Sequence, residues 1–480
     1  MNAFALVVFC ATLAVFVTAT PCKDASNGRV YQPGVSYLME DCGSLKACLG
    51  GQIFTMPYKC VPNSQCGREG AFPMCVCNTG FKKAGDINSP CVVMQLPLGV
   101  FLACVLSQVL ADELVLVQSL WRHGDRTPQG TYKDDPYQEN FWGKKWGELT
   151  TKGMWQEFQQ GQKLKARYID DLKFLNSTYD SRDVYVRSTD MPRTLQSAYS
   201  NLASFYSDSN NTHPLQKLWP KTWSPIPVHT ITRNSDYLLA WDPICPRREQ
   251  LYDEQQEFKG FVDYIDERKP FIDELTARTG WNMSDLFTLE EFYDTVWIEK
   301  LYNLTIPDWI TDEKFQKLKS ILDIAIDYIY GNAEFGHEEN VELIRITGGV
   351  LLAEMLQNAH KAIENSTEVK YFAYSAHDST INALLRALGA KKAVVKERIP
   401  DYASLLVLEL WKTTQGDHAV RLLFSADAAA PFKTVTRAVS GCPQREFCPL
   451  DVFEKRSEKY VSRNIQEECK KKAEKNAVDF

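Results

Sequence analysis

Three times along this chain, a short apolar run breaks into a loop of charged and hydrogen-bonding residues. Leu114–Val117 leads into Arg122-His123-Gly124-Asp125-Arg126-Thr127-Pro128. Val184-Tyr185-Val186 leads into Arg187-Ser188-Thr189-Asp190, and Tyr371-Phe372-Ala373-Tyr374 into Ser375-Ala376-His377-Asp378. Uncharged runs of this length read as buried strands. The second and third loops pass into helical patterns, one through Ala198 and one through Ala387 to Gly389. Ser188, Thr189 or Asp190 is the expected N-cap of the first. Strand, loop and helix in that order predict an α/β core with helices on the sheet faces. Ligands in such sheets bind at the carboxyl ends of strands, so the three loops are expected to meet at one site.

The residues in those loops suit phosphate. A guanidinium is a permanent cation whose planar fork matches phosphate oxygens, and Arg122, Arg126 and Arg187 supply three. His123 stands between two of them. A neutral imidazole nitrogen can attack phosphorus and form a phosphohistidine, and nearby arginine charge keeps the ring unprotonated. Asp378 is placed to protonate the leaving oxygen and His377 to hydrogen-bond the transferring group. Gly124 is expected to leave room for substrate beside the nucleophile. His213, His337, His360 and His418 read as surface or satisfied core residues. A metallophosphatase would need several His and Asp at ligand spacing, and the seven histidines form no such cluster, so no metal is expected.

Targeting and cysteine patterns divide the 480 residues into two parts. Met1–Thr20 is uncharged and apolar and ends in small residues, a signal-peptide pattern without the usual basic start. Val92–Ala111 is a second uncharged apolar segment, with Met94 near its start. It reads as a second signal peptide opening an independent secreted protein, as a linker, or as a membrane span. Asn-x-Ser/Thr acceptors at Asn176, Asn210, Asn282, Asn303 and Asn365 argue for a lumenal downstream part, and so against the span. Of 14 cysteines, Cys10 and Cys104 lie in the apolar segments. Eight fall between Cys22 and Cys91, and four between Cys245 and Cys469. Both sets are even, as closed disulfide frameworks require. Residues 21–91 are therefore expected to form a cysteine-rich, disulfide-stapled module, whose Cys75–Cys91 end is similar to EGF-like or trypsin-inhibitor-like modules. A net charge of −7 argues against a nucleic-acid partner.

From about residue 112 to 480 the chain resembles the histidine acid phosphatases, the branch that includes the prostatic and lysosomal enzymes. The motifs are R-H-G-x-R-x-P at 122–128, His377-Asp378, Leu149–Met154, Arg187–Ala198, Pro227–Thr230 and Ile346–Leu356. The resemblance implies a doubly wound mixed sheet with a smaller helical cap at about 236–340. It implies His123 as phosphorylated nucleophile and Asp378 as proton donor. Arg122, Arg126, Arg187 and His377 become phosphate contacts. No cofactor is implied. The implied bridges are Cys442–Cys448 and Cys245–Cys469, without the third bridge of the vertebrate enzymes. Implied substrates are small phosphomonoesters or phosphoproteins, in a family that includes homodimers. The chain lacks the C-terminal span of the lysosomal branch, so a soluble secreted or lysosomal enzyme is expected. A phytase carries the same motifs and stands as an alternative. A binding or inhibitor protein acting through the cysteine-rich module is another. A phosphoglycerate mutase shares the R-H-G loop, but it takes its acid Glu from elsewhere and is cytosolic.

Overall fold

The computed structural model describes residues 112–472 apart from 210–211, 215, 221–222 and 396–398, together with seven short strands between Cys22 and Cys77. The chain divides into two compact units, Met1–Ala111 and Asp112–Phe480. In the first, Cys22–Lys23 pairs with Val30–Tyr31, and Ser44–Leu49 pairs with both Ser36–Leu38 and Gln52–Pro57. Ser64–Glu69 pairs with Phe72–Cys77, and these pairings among the described strands are all antiparallel. The expected signal peptide at 1–20, the apolar segment 92–111 and the Asn210 acceptor lie outside the described residues.

The second unit is built on a seven-stranded mixed sheet. Its strands are β1 (Glu113–Arg122), β2 (Val184–Ser188), β3 (Tyr371–Ala376), β4 (Leu405–Lys412), β5 (His418–Ser425), β6 (Lys433–Thr434) and β7 (Cys448–Pro449). The order is β6-β5-β4-β1-β3-β2, with β7 also on β5. The three strands read from sequence, β1, β3 and β2, run parallel, whereas β4 and β5 are antiparallel to their neighbours.

Alternation along these strands feeds two apolar layers. Leu116, Leu120, Phe372, Tyr374 and Leu406 point to one face, and Val117, Trp121, Tyr371, Ala373 and Val407 to the other. Each buried aliphatic side chain contributes about 1.5–3 kcal/mol, and a one-residue slip of register would drive every row into the packing of the opposite layer. Helices α1 (Thr151–Lys165) and α2 (Pro192–Phe205) cover the Trp121 face. They approach closely: a Cβ on Gly161 would sit 2.1 Å from the Asn201 carbonyl oxygen. Neither Ser188, Thr189 nor Asp190 caps α2. Met191 occupies the N-cap without a side-chain bond, and Pro192, whose fixed φ suits a first helical turn, starts the helix.

A helical cap follows, made of α3 (Pro246–Glu257), α4 (Lys259–Asp266), α5 (Lys269–Thr279), α6 (Leu286–Leu301) and α7 (Asp312–Ile329). It has its own core around Phe261, Phe292, Val296, Leu322 and Tyr328. Asp285 and Thr311 cap α6 and α7 by accepting from the Thr288 and Lys314 backbone N–H groups. The chain returns through α8 (Val341–Thr347), α9 (Gly349–Ile363), α10 (Asp378–Ala387) and α11 (Leu450–Ser457). Helices α9, α10 and α11 cover the Leu116 face. The bridges are Cys245–Cys469 and Cys442–Cys448, as the resemblance implied. Among the described residues, no helix is long and apolar enough to cross a membrane.

Candidate active site

Register brings the first and third loops together. Arg122, the last residue of β1, pairs with Ala376, the last of β3. The next residue on each strand is a histidine. His123 and His377 therefore emerge side by side, with ring centroids 5.5 Å apart, and the His123 N–H donates to the Ala376 carbonyl at 3.1 Å. Strand β2 ends one position away, where Ser188 pairs with Ser375. That places the Thr189 hydroxyl 2.9 Å from His377 Nε2.

Three contacts fix the peptide after His123. Gly124 lies against α1, where a Cβ would come within 2.3 Å of the Gly153 carbonyl oxygen. Close backbone packing thus explains this glycine, where the sequence suggested room for substrate. The Gly124 N–H donates to Ser197 Oγ on α2 at 3.2 Å. The Gly124 carbonyl lies 2.8 Å from His123 Nδ1. A carbonyl can only accept, so Nδ1 carries the proton and Nε2 keeps its lone pair. Burial first, then the charges of Arg193, Arg122, His377 and Arg126, hold the His123 pKa well below its usual value.

The guanidinium groups here are buried and incompletely satisfied. Arg122 is 1% exposed; it donates to the Pro400 carbonyl at 2.6 Å and stacks over the Tyr402 ring at 4.2 Å. Its Nη2 lies 2.9 Å from Asp378 Oδ2, without hydrogen-bond alignment. Arg126 makes a two-pronged pair with Asp294 of the cap, at 2.9 and 3.1 Å. Burial opposes the Arg126 charge, but Asp294, Tyr402 and Asp378 together outweigh it and raise the pKa. Arg193, in the first turn of α2, lines the cleft beside His123. Its pKa is pushed down to about 9, by burial and then by the Arg126 charge, so it stays cationic at acid pH but at a cost. Nε of Arg122, Arg126 and Arg193 and Nη2 of Arg122 have no hydrogen-bond partner among the described residues. Buried N–H donors left over in this way call for an anion.

The candidates from sequence separate at this point. His123, His377, Asp378, Arg122 and Arg126 are together. Arg187 is elsewhere: it lies on the Tyr185 side of β2 and pairs with the fully buried Asp236. It is absent from the cleft wall and adds no resolved charge effect on either imidazole. Arg193 holds the place expected for it. One signal did point there. A cation in the first turn of a helix opposes the helix dipole, and so calls for a local reason. Asp294, Trp241 and Tyr402 were also missed. The Trp241 edge meets His377 at 4.6 Å, and Tyr402 lies 5.9 Å from His123. Tyr402 precedes Ala403, a non-glycine residue at φ 54° whose N–H donates to the His123 carbonyl at 3.2 Å.

Asp378 is the first residue of α10; its Oδ1 accepts from the Ser379 N–H at 2.6 Å. His377 is 2% exposed, and its pKa is lowered by burial, then by Arg193, Arg126 and Arg122. His123, Arg126, Arg193, His377 and Asp378 line a cleft of about 1640 Å³, walled by the sheet loops and cap helices α3 and α6. Asp125 ties the loop down, since its carboxylate accepts from Thr150 Oγ1 at 2.6 Å and from the Tyr302 hydroxyl.

Comparisons with known proteins agree with this arrangement. The model of the histidine phosphatase superfamily (branch 2) matches residues 113–425. Lysosomal acid phosphatase of Homo sapiens is 36% identical over 385 residues, covering 79% of this chain and 86% of that protein. Prostatic acid phosphatase of Mus musculus is 34% identical over 364 residues, covering 75% and 90%. Among solved structures, Hafnia alvei phytase in complex with tartrate aligns with a TM-score of 0.56 at 15% identity, over 75% of this chain and 99% of that one. At that identity the likeness is one of fold. The sheet, its paired histidines and these relatives make the chain a member of branch 2 of the histidine phosphatase superfamily.

Proposed function

We propose that this protein is an acid phosphatase that hydrolyses phosphate monoesters through a phosphohistidine on His123, without a metal. The observation that carries the reading is the His123 tautomer. Nδ1 is spent on the Gly124 carbonyl, so Nε2 presents its lone pair to a cleft lined with unsatisfied guanidinium N–H groups. Arg122, Arg126 and Arg193 are the clamp in this reading, with Arg193 in place of Arg187. The His377 ring, held at Nε2 by Thr189, offers Nδ1 to a phosphoryl oxygen.

The steps balance as follows. The His123 Nε2 lone pair attacks phosphorus, and the bond from phosphorus to the ester oxygen breaks. The leaving oxygen takes a proton from the Asp378 carboxyl. A water then attacks the phosphohistidine and gives a proton back to Asp378. Inorganic phosphate leaves, and Nε2 recovers its lone pair. Asp378 sits beside Arg122 Nη2. A phosphate dianion drawing on the same guanidinium weakens that pairing and favours the protonated, donor form of Asp378. The guanidinium groups need little rearrangement as charge builds, which is where a preorganised site gains most.

The two relatives support phosphomonoesters, small or borne on proteins, as substrates, and a lysosomal or secreted location. Residues 21–91 are assigned as a separate disulfide-stapled module, on their eight cysteines and short antiparallel pairs. Hydrolysis of an aryl phosphate, with and without chelator and beside His123→Ala, tests the function. Chelator-resistant turnover that disappears in His123→Ala supports it; turnover that survives the substitution overturns it.

A further inference from the structure

The cleft continues past the proton donor. Helix α10 begins at Asp378, and Asp378, Asn382 and Arg386 all line the cleft wall. At this spacing they share one face of the helix, and Arg386 stands about 12 Å along its axis from Asp378. Asp378 protonates the departing oxygen, so the wall beyond it faces the leaving group. The proposed reaction makes no use of that end.

The far end is built around buried cations. Arg386 is 7% exposed. Of its side-chain nitrogens only Nη2 makes a hydrogen bond among the described residues, to Asp327 Oδ1 of α7 at 2.6 Å, and Nε is buried without a partner. Lys391, just after α10, donates to both oxygens of the same carboxylate, at 2.6 and 2.7 Å. One buried carboxylate therefore serves two cations. Asp323, one turn back on α7, has a lysine of its own, Lys319, at 2.9 Å. The Arg386 guanidinium lies over the Tyr330 ring at 5.1 Å, and that of Arg248 of α3 over the Tyr252 ring at 5.8 Å. The two rings meet edge to face at 5.5 Å, and all four side chains line the cleft. A buried guanidinium with a leftover N–H and a shared counter-ion is suited to a further anion.

We propose that Arg386, with Arg248 beside it, forms a second anion subsite, and that the preferred substrates are phosphomonoesters whose leaving group carries another anionic group on the order of 10 Å from the scissile phosphorus. The inference deepens the phosphatase reading and rests on it. Arg386 bridges two duties: Nη2 holds Asp327 across to the cap, and the Nε edge is left for the substrate. Arg248 is spent on Glu249 and the Trp241 carbonyl, so it contributes charge.

The test uses linear alkanediol bisphosphates of increasing chain length, each beside the ω-hydroxyalkyl phosphate of the same length. The quantity read is the ratio of kcat/KM within each pair. Wild type is expected to favour the bisphosphate about tenfold or more at one chain length, and less at shorter and longer ones. Arg386→Met should bring that ratio to near unity; Asp327 keeps Lys391, so its charge stays paired. Because the ratio is taken within one preparation, a smaller folded fraction cancels. If Arg386→Met fails to fold, Arg386→Lys decides: it keeps a cation on Asp327 but lacks the second edge of the fork, and should lose most of the preference. Phosphoserine peptides with and without an acidic side chain at that reach form a parallel series. A length-dependent preference in either series supports the subsite, and the series that shows it names the source. No preference in either overturns the inference, as does a ratio unchanged in the variants while Tm falls, which is the mark of a purely structural arginine. Failure of wild type to hydrolyse the ω-hydroxyalkyl phosphates would strike the phosphatase reading itself and is read separately.

Discussion

Replacing Arg193 by alanine, with Arg187→Ala as its counterpart, separates the clamp seen in the structure from the one suggested by sequence. Arg193 is 6% exposed, lines the cleft, and has an unpartnered Nε. A fork donating two charge-assisted hydrogen bonds to a phosphoryl group contributes about 3–4 kcal/mol to the transition state. Its loss should lower kcat/KM for an aryl phosphate by ~10²–10³-fold and weaken competitive inhibition by inorganic phosphate. A second signature concerns pH. Arg193 is the largest charge effect lowering the His123 pKa, after burial. Removing it lets that pKa rise, so the acid limb of kcat/KM moves to higher pH. Arg187→Ala should do the reverse of Arg193→Ala. It strands Asp236, which is 0% exposed and among the described residues keeps only the Leu238 and Leu239 N–H groups, so stability falls by about 3–5 kcal/mol while kcat/KM of the folded fraction stays near wild type. A larger loss of kcat/KM in Arg187→Ala than in Arg193→Ala would refute this assignment.

Other substitutions probe the acid, the loop and the covalent frame. Asp378→Asn should slow alkyl phosphates by ~10²–10⁴-fold and activated aryl phosphates far less, since only poor leaving groups need the proton; equal slowing would argue against the acid role. Gly124→Ala places a Cβ 2.3 Å from the Gly153 carbonyl oxygen, so it should cost at least about 1–3 kcal/mol in chemical denaturation and reduce kcat by moving His123. Serines at both Cys245 and Cys469 open a bridge between residues 224 apart; chain entropy sets an upper bound of about 5 kcal/mol on the loss, read as a lower Tm with KM unchanged.

Much of this architecture was legible because it is local. Leu114–Val117, Val184–Val186 and Tyr371–Tyr374 are apolar runs that end at the same edge of one sheet, and their loops supply His123, Thr189 and His377. Arg187 was misplaced because strand alternation is visible in sequence but the identity of each face is not. It shares a side with Tyr185, and its partner Asp236 comes from a segment 49 residues further on. Arg193 lay inside a motif already noted, but its aim depends on Pro192, not a side-chain cap, starting α2. Asp294 and Trp241 come from the cap, and their meeting with Arg126 and His377 is a tertiary fact with no local pattern to announce it.

Trapping the covalent intermediate tests the central claim most directly. The enzyme is mixed with a labelled phosphomonoester, quenched in alkali within a turnover, digested and mapped. An N–P bond survives alkali and breaks in acid, whereas a carboxyl phosphate does not survive alkali. The account predicts alkali-stable, acid-labile label on the peptide holding His123, absent from His123→Ala and retained longer in Asp378→Asn, where water attack lacks its base. Label on another residue, or full turnover with no trapped phosphate under single-turnover conditions, would contradict it.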